Sequence, residues 1–215
     1  MALASSRLTP LQTDLLEAFF GQEDRFYLTG GAALAGFHLG HRETHDLDLF
    51  ALDPIMDDGV RALRQAARDV GASWREVRTA PEFRRVLLSR EDDSVIVDLV
   101  IEHAEQVRPE KPAHGSVRVD PAEEILANKL CALLGRAEIR DLVDVRALEG
   151  LGLSLTDALT AGERKDGGLT PAQLAWVLSQ IAIGDDADLP GGVGPAELRE
   201  YLKGLVDRLA RLARP

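Results

Sequence analysis

The chain has 215 residues, which allows one large domain or two small ones. Its hydrophobic content of 45% is ordinary for a folded protein, and no apolar run approaches the roughly 18–20 residues that span a bilayer, so the sequence predicts a cytoplasmic protein without a membrane segment. The formal net charge of −11 argues against non-specific coating of nucleic acid, because phosphate contacts require an excess of Lys and Arg.

Capping pairs predict where several helices begin. In each pair a Thr or Asp that can cap a helix stands directly before a proline at the first helical position. The pairs are Thr9-Pro10, Asp53-Pro54, Asp120-Pro121 and Thr170-Pro171. Gly71 and Gly184 lie where the helices from Pro54 and Pro171 are expected to end.

The remaining periodicity predicts strands in the first half and helices in the second. The strands cover residues 26–28, 46–52, 83–89 and 95–101, and a turn at residues 91–93 joins the last two. Helices are expected at about 121–135, 139–149, 171–183 and 195–213, with 154–165 as a further candidate. We therefore expect an α+β fold with a mixed sheet in residues 1–119, followed by a helical C-terminal half, residues 120–215.

The segment after the first strand carries the main candidate site. A strand ending at Thr29 is followed by Gly30 and Gly31, whose amide groups at a helix N-terminus suit a phosphate. Asp46 and Asp48 then stand two residues apart on a strand, so their carboxylates point to the same face. Two carboxylates this close favour a divalent cation, and Mg²⁺ is commonly shared between carboxylates and substrate phosphates.

Asp98 supplies a third carboxylate, because it interrupts a strand that is otherwise apolar on both faces. A charge there is costly unless it is paired or bound to metal. Three carboxylates on neighbouring strands can hold two metal ions for an in-line displacement at phosphorus. Each Asp considered alone could also be an ordinary residue of a turn or a strand edge.

The helical half adds Lys129, which lies within an apolar arc of its helix. It is either a lysine that extends its charge to solvent or a ligand of a triphosphate. Asp141 and Asp144 share one face of the next helix. They are either functional or part of a solvated edge, ion-paired with Arg140.

These motifs, GG-A…RETHDLDLF, then VDLV, then NKLCALLGRAEIRDLVDV, resemble the AbiEii/AbiGii-type nucleotidyltransferase toxins, including the MenT-type toxins of mycobacteria. The resemblance covers about residues 25–150. It implies a DNA-polymerase-β-like nucleotidyltransferase core, use of an NTP with Mg²⁺ or Mn²⁺, and a cognate antitoxin. It also implies transfer of a nucleotide to an RNA acceptor, the tRNA 3′ end above all, and so inhibition of translation.

Carried over by position, the resemblance implies that Asp46 and Asp48 bind metal and that Lys129 binds the triphosphate; Asp98 is expected as a third metal ligand from its place in the apolar strand. Asp141 or Asp144 matches the last catalytic aspartate of the family, and spacing does not choose between them. The family motif commonly reads Gly-Ser, so Gly31 replaces a hydroxyl that would bind phosphate.

The resemblance further implies Thr44 as a site of inactivating phosphorylation. A phosphate adds about −1.5 to −2 charges at neutral pH. Two residues before Asp46, it would compete for the metal and repel the triphosphate. The alternative is that Thr44 only ends a loop.

Two other functions fit parts of the pattern. The region from Gly30 to Asp48 is also similar to antibiotic nucleotidyltransferases of the aminoglycoside and lincosamide type, but the segment from Lys129 to Asp144 favours a toxin. A catalytically silent binding partner or antitoxin is disfavoured, because all three carboxylates and Lys129 are present. The sequence predicts no oligomeric state.

Overall fold

A computed structural model describes residues 6–214 of the chain. It divides into two compact units. The first extends to His103 and also contains Glu110–Pro121, whereas the second contains Ala104–Pro109 and the chain from Ala122 onward. The boundary predicted between residues 119 and 120 lies close to the change of unit after Pro121. The sequence did not predict that the segment Ala104–Pro109 belongs with the second unit.

The first unit contains a five-stranded mixed sheet. Its strands are β1 (Phe26–Thr29), β2 (Asp46–Ala51), β3 (Ser73–Ala80), β4 (Phe83–Arg90) and β5 (Asp93–Ile101). They are ordered β1-β2-β5-β4-β3, with β2 and β5 parallel and the other neighbours antiparallel. A separate short ladder joins β6 (Ala113–His114) to β7 (Val117–Arg118). The predicted α+β class with a mixed sheet is confirmed.

Helices cover the apolar face of this sheet. The helices of the unit are α1 (Pro10–Phe20), α2 (Gly30–Ala33), which continues as a π-helical turn (Leu34–His38), and α3 (Met56–Asp69). On the sheet, Leu47, Leu49 and Leu99 are at most 1% exposed. The ring of Phe26 lies so close to Gly59 of α3 that a Cβ there would overlap it. The opposite face, which carries the polar residues of the strands, is less deeply buried.

The second unit is helical throughout its described part. Its helices are α4 (Ala122–Arg136), α5 (Ile139–Gly150), α6 (Leu155–Lys165), α7 (Pro171–Ser179) and α8 (Pro195–Leu212), with a 3₁₀ turn at Pro190–Gly192. The core consists of leucines such as Leu130, Leu174 and Leu205, each fully buried. Within residues 6–214, no helix is long and apolar enough to cross a membrane.

Two predictions about the elements are wrong, and one strand was missed. Helix α3 begins at Met56, two residues after the predicted Pro54. Helix α7 ends at Ser179, well before Gly184, because the amides of the next two residues bond three residues back and tighten the last turn. Strand β3 was not predicted at all. By contrast, Thr9 and Thr170 cap α1 and α7 as expected, each accepting a hydrogen bond from the amide three residues on.

Candidate active site

Three carboxylates lie on one face of the sheet, on two neighbouring strands. Asp46 and Asp48 belong to β2, and Asp98 lies opposite Asp48 on the parallel strand β5. Residues opposed on neighbouring strands share a face, as do residues two apart on one strand. Leu47 and Leu49 point to the other side and are 1% exposed. The structure therefore groups the three aspartates that the sequence singled out in this unit.

Arg85 of β4 lies beside these carboxylates. It is opposite Asp98, and its Nε and Nη2 atoms donate to Oδ1 and Oδ2 of Asp98 at 2.8 and 2.6 Å. Asp98 is only 6% exposed, so this two-pronged ion pair satisfies a charge that would be costly alone. The pKa of Arg85 is raised, first by the hydrogen bonds to Asp98 and further by the charges of Asp46 and Asp48. Arg85 therefore lies on the same face as the three carboxylates and is paired with one of them.

Gly30 is fixed by its backbone and by Asp48. It is the first residue of α2 and has a φ of +63°, in the left-handed region where side chains are strained. A Cβ at Gly30 would also overlap the carboxylate of Asp48. The carboxylate of Asp48 therefore approaches the Gly30 backbone so closely that it occupies the space a side chain would need. The sequence argument that glycine allows a close approach applies here to Asp48, and binding of a phosphate stays a prediction.

Arg42 occupies the space beside Gly31. A Cβ at Gly31 would lie 2.8 Å from Nη2 of Arg42 and 3.2 Å from Oγ1 of Thr44. Both side chains are buried, with Arg42 at 8% and Thr44 at 7% exposure. The Nε2 atom of Gln12 donates to the Thr44 carbonyl at 2.8 Å and anchors this loop to α1. At the position of the family's serine, this chain thus presents a guanidinium close to the glycine backbone.

Lys129 lies in a buried ionic cluster of the second unit. Its Nζ atom, on α4, is 2.7 Å from Oδ1 of Asp141 and 2.7 Å from Oδ2 of Asp144, both on α5. Both aspartates are fully buried, and Lys129 is 7% exposed. Arg136 adds a second cation, because its Nε and Nη2 donate to Asp141 at 2.8 and 3.1 Å. The cluster is therefore balanced in charge.

These contacts decide between several alternatives from the sequence. Lys129 does not extend to solvent, and its charge has protein partners without a triphosphate. The solvated helix edge is wrong for Asp141 and Asp144, because both are fully buried, and Arg140 pairs with Glu138. Both aspartates contact Lys129, so the structure does not single out one of them. The catalytic roles of these residues stay predictions.

The donor set for a metal is limited to a few oxygens. Within residues 6–214, no group of three or more His, Cys, Asp or Glu side chains is arranged to hold a metal ion. Mg²⁺ is usually bound by one or two carboxylates together with substrate phosphates, and Asp46 and Asp48 supply that number on one face. The pair therefore fits the ion. The assignment of Asp98 as a third ligand stays a prediction, because Arg85 engages both of its oxygens.

Sequence reasoning missed Arg85, Arg42 and Arg136. A signal for Arg85 was present, since the turn at Glu91 and Asp92 fixes the register of the β4–β5 hairpin and so sets Arg85 opposite Asp98. The other two depend on how a loop and a helix end are folded. Residue spacing in the sequence does not predict the contacts of Arg42 and Arg136.

Solved structures of other proteins share this fold. Two solved structures from Helicobacter pylori are similar to this chain, each with 18% identity and a TM-score of 0.56. One is described as a nucleotidyltransferase and is matched over 95% of this chain and 96% of its own, and the other, JHP933, over 94% and 91%. At this identity the likeness shows the fold alone. No curated protein sequence matches the chain.

The sequence then identifies the family. The profile of the family described as "Nucleotidyl transferase AbiEii toxin, Type IV TA system" matches residues 14–206. This chain therefore belongs to the AbiEii nucleotidyltransferase toxins of type IV toxin–antitoxin systems, which implies an antitoxin partner. The match confirms the resemblance found in the motifs of residues 25–150 and extends it to both sides.

Proposed function

We propose that this toxin transfers a nucleoside monophosphate from an NTP to the 3′ end of an RNA, with tRNA as the acceptor, and so blocks translation. The observation that carries the proposal is the grouping of Asp46, Asp48 and Asp98 on one sheet face, with Gly30 packed against Asp48. Membership of a nucleotidyltransferase family supplies the reaction class. The acceptor and the translational effect follow from the resemblance to tRNA-directed relatives.

Asp46 and Asp48 would hold Mg²⁺ through their carboxylate oxygens. The bound ion would supply charge stabilisation at the transferring phosphoryl group. The carboxylates would position the ion on the open polar face, while Leu47 and Leu49 fix the strand in the core. Since phosphoryl transfer depends on positioning and charge, the rigidity of β2 between β1 and β5 is part of the mechanism.

Arg42 would bind a phosphate in place of the family's serine hydroxyl. Its guanidinium lies against Gly31, at the N-terminus of α2, and is held by a hydrogen bond from Nη1 to the Glu43 carbonyl at 2.9 Å. A guanidinium offers a planar fork of donors that matches phosphate oxygens. Arg42 therefore compensates for the lost hydroxyl in this member of the family.

Lys129 would act on the triphosphate, with Asp141 and Asp144 as its positioning residues. Both carboxylates hold the Nζ atom at 2.7 Å. The two ion pairs fix the position of the ammonium group between α4 and α5. A lysine fixed in this way loses little side-chain freedom when a ligand binds.

Phosphorylation of Thr44 is proposed as one means of control by the antitoxin system. The residue is 7% exposed and its Oγ1 faces Gly31. A modifying enzyme would reach it only after the loop from Gly40 to His45 opens. The added charge would then lie two residues from Asp46, where it opposes metal and triphosphate alike.

The decisive experiment supplies each labelled NTP in turn, with Mg²⁺ and total tRNA, to the purified protein. The proposal predicts label at the 3′ end of tRNA from one preferred NTP, and no label when EDTA replaces Mg²⁺. Label on an aminoglycoside or lincosamide but not on tRNA would overturn the RNA acceptor. Absence of any transfer would overturn the enzymatic function.

A further inference from the structure

Strand β3 forms an edge of the sheet and is exposed on both faces. Most of its residues are exposed, including Arg75 and Arg78. Neighbouring β4 contributes Arg85, which lies opposite Arg78. The β3 edge of the sheet is therefore rich in arginine, although the whole chain has a net charge of −11.

A β-bulge brings these arginines to one face. Arg75 pairs with Leu87 and Arg78 pairs with Arg85, with the register shift between Glu76 and Arg78. On a regular strand, residues three apart point to opposite faces. The extra residue of the bulge returns Arg78 to the face of Arg75, which is the mode in which bulges redirect side chains next to active sites.

That face is the one that carries the carboxylates. Across the sheet, Arg78 is opposite Arg85, Arg85 is opposite Asp98, and Asp98 is opposite Asp48. Strands lie about 4.8 Å apart, so Arg78 is about 10 Å from the strand of Asp98. The row of side chains thus runs from the acidic centre to the open edge of the sheet.

The two arginines of β3 make no ion pair with any residue that the structure describes. The guanidinium of Arg78 lies over the ring of Phe83, with 5.6 Å from Cζ to the ring centroid, and Arg85 lies over the same ring at 5.7 Å. The acidic residue of the strand, Glu76, points to the other face and accepts a hydrogen bond from Thr79. The positive charge of the β3 edge is therefore available to an external anion.

We propose that Arg75 and Arg78 bind the phosphates of the acceptor RNA as its 3′ end approaches Asp46 and Asp48. The inference rests on the proposed function. A polyanion fits because the arginines are spread over one sheet face that ends at an open edge. A mononucleotide would need its phosphates enclosed near the carboxylates. The arginines thus give an acidic protein a local site for nucleic acid.

The test measures binding of fluorescently labelled total tRNA by anisotropy over a series of KCl concentrations. Each neutralised phosphate contributes about −0.7 to −0.9 to the slope of log K against log salt. The variant Arg75→Ala/Arg78→Ala should therefore reduce the steepness of the slope by about 1.5. The variant Arg75→Lys/Arg78→Lys should keep the wild-type slope, because it keeps the charges. Thermal unfolding midpoints should match in all variants.

A matched control is provided by α3, which packs against the opposite face. Arg61 and Arg68 are exposed there, and Arg61→Ala/Arg68→Ala should leave the slope unchanged. A wild-type slope in Arg75→Ala/Arg78→Ala would overturn the inference, as would loss of binding to an antitoxin protein without any change in RNA binding. If either result is obtained while the wild-type protein transfers nucleotide to tRNA, only the proposed role of Arg75 and Arg78 is wrong. If wild type transfers none, the proposed function itself fails.

Discussion

Two glycines of this toxin have similar backbone angles but different surroundings. Gly30 is constrained by a positive φ and by the carboxylate of Asp48, whereas Gly71 has a similar φ of +71° but no atom near its missing Cβ. A side chain would be strained by the backbone at both glycines, but only at Gly30 would it also collide with a residue of the candidate site.

Replacement of Gly30 by alanine should damage the site more than it damages the fold. Both Gly30→Ala and Gly71→Ala place a side chain in the left-handed region, at a cost of about 1–2 kcal/mol. Only Gly30→Ala displaces Asp48, so we expect it alone to lose nucleotide transfer. Measurement of unfolding free energy and transfer rate for both variants tests this. Equal transfer rates in the two would show that the position of Asp48 is unimportant.

Lys129 differs from these glycines because its substitution alters buried charge. Lys129→Met leaves Asp141 and Asp144 buried in the core, where Asp141 keeps its ion pair with Arg136. Breaking a buried ion pair costs about 3–5 kcal/mol, and urea unfolding should show a loss of that order. The double variant Lys129→Met/Asp144→Asn should regain part of the stability. Wild-type stability in Lys129→Met would contradict the ionic cluster.

At the scale of elements, the chain from α1 to β1 is fastened by one ion-paired turn. Glu23 is 5% exposed and accepts hydrogen bonds from the backbone amide and Nε of Arg25 at 3.0 and 2.8 Å. Arg25 also donates to Asp58 of α3 at 2.8 Å. The turn thus links the sheet strand β1 to α1 and α3, two helices that cover the apolar face of the sheet.

This turn should make stability depend on pH. The hydrogen bond from Arg25 lowers the pKa of Glu23 below its ordinary value of 4.5. A carboxyl with a lowered folded pKa stabilises the fold above its unfolded pKa, and the contribution is lost as pH falls through the folded pKa. Glu23→Gln should therefore be less stable than wild type at pH 7, and the difference should shrink below pH 4.5. Exposed Glu17→Gln on α1 is the control, and a pH-independent difference would refute the linkage.

Strands with regular alternation and helices with a capping pair could be predicted from the sequence. Strand β2 alternates polar and apolar residues. Thr9 and Thr170 are capping residues directly before prolines, and they mark the starts of α1 and α7. Strand β3 could not be predicted, because an edge strand buries neither face and the bulge after Glu76 breaks its alternation. The start of α3 was misplaced because Asp53 and Pro54 lie in a bend before the helix.

The candidate site was predictable only in part for a similar reason. Residue spacing gave the common face of Asp46 and Asp48, because two-residue periodicity holds along one strand. The partners of Asp98 and Lys129 come from other elements of their units, Arg85 on β4 and the aspartates on α5. Such contacts depend on register and packing. A sequence pattern therefore identified the charges but not what neutralises them.

For the whole molecule, the net charge is negative but the local charge differs from one face to another. The chain carries a net charge of −11, yet one sheet face carries three arginines beside its three carboxylates, and a cross-strand row from Arg78 through Arg85 and Asp98 to Asp48 connects the two groups. The net negative charge disfavours non-specific binding of nucleic acid, so the proposed RNA binding would depend on this face. The arrangement fits the proposed transfer to an RNA 3′ end.

The central claim, that Asp46 and Asp48 are the catalytic carboxylates of a nucleotidyltransferase, is tested most directly by the double variant Asp46→Asn/Asp48→Asn in the labelled-NTP and tRNA assay. The control is Asp53→Asn/Asp57→Asn, which changes two exposed carboxylates just beyond β2. Since charge stabilisation at the phosphoryl group depends on the pair, we expect the site variant to lose about a hundredfold or more in rate, with its fold intact. The control variant should keep the wild-type rate. Transfer at the wild-type rate by a folded Asp46→Asn/Asp48→Asn protein would contradict the account.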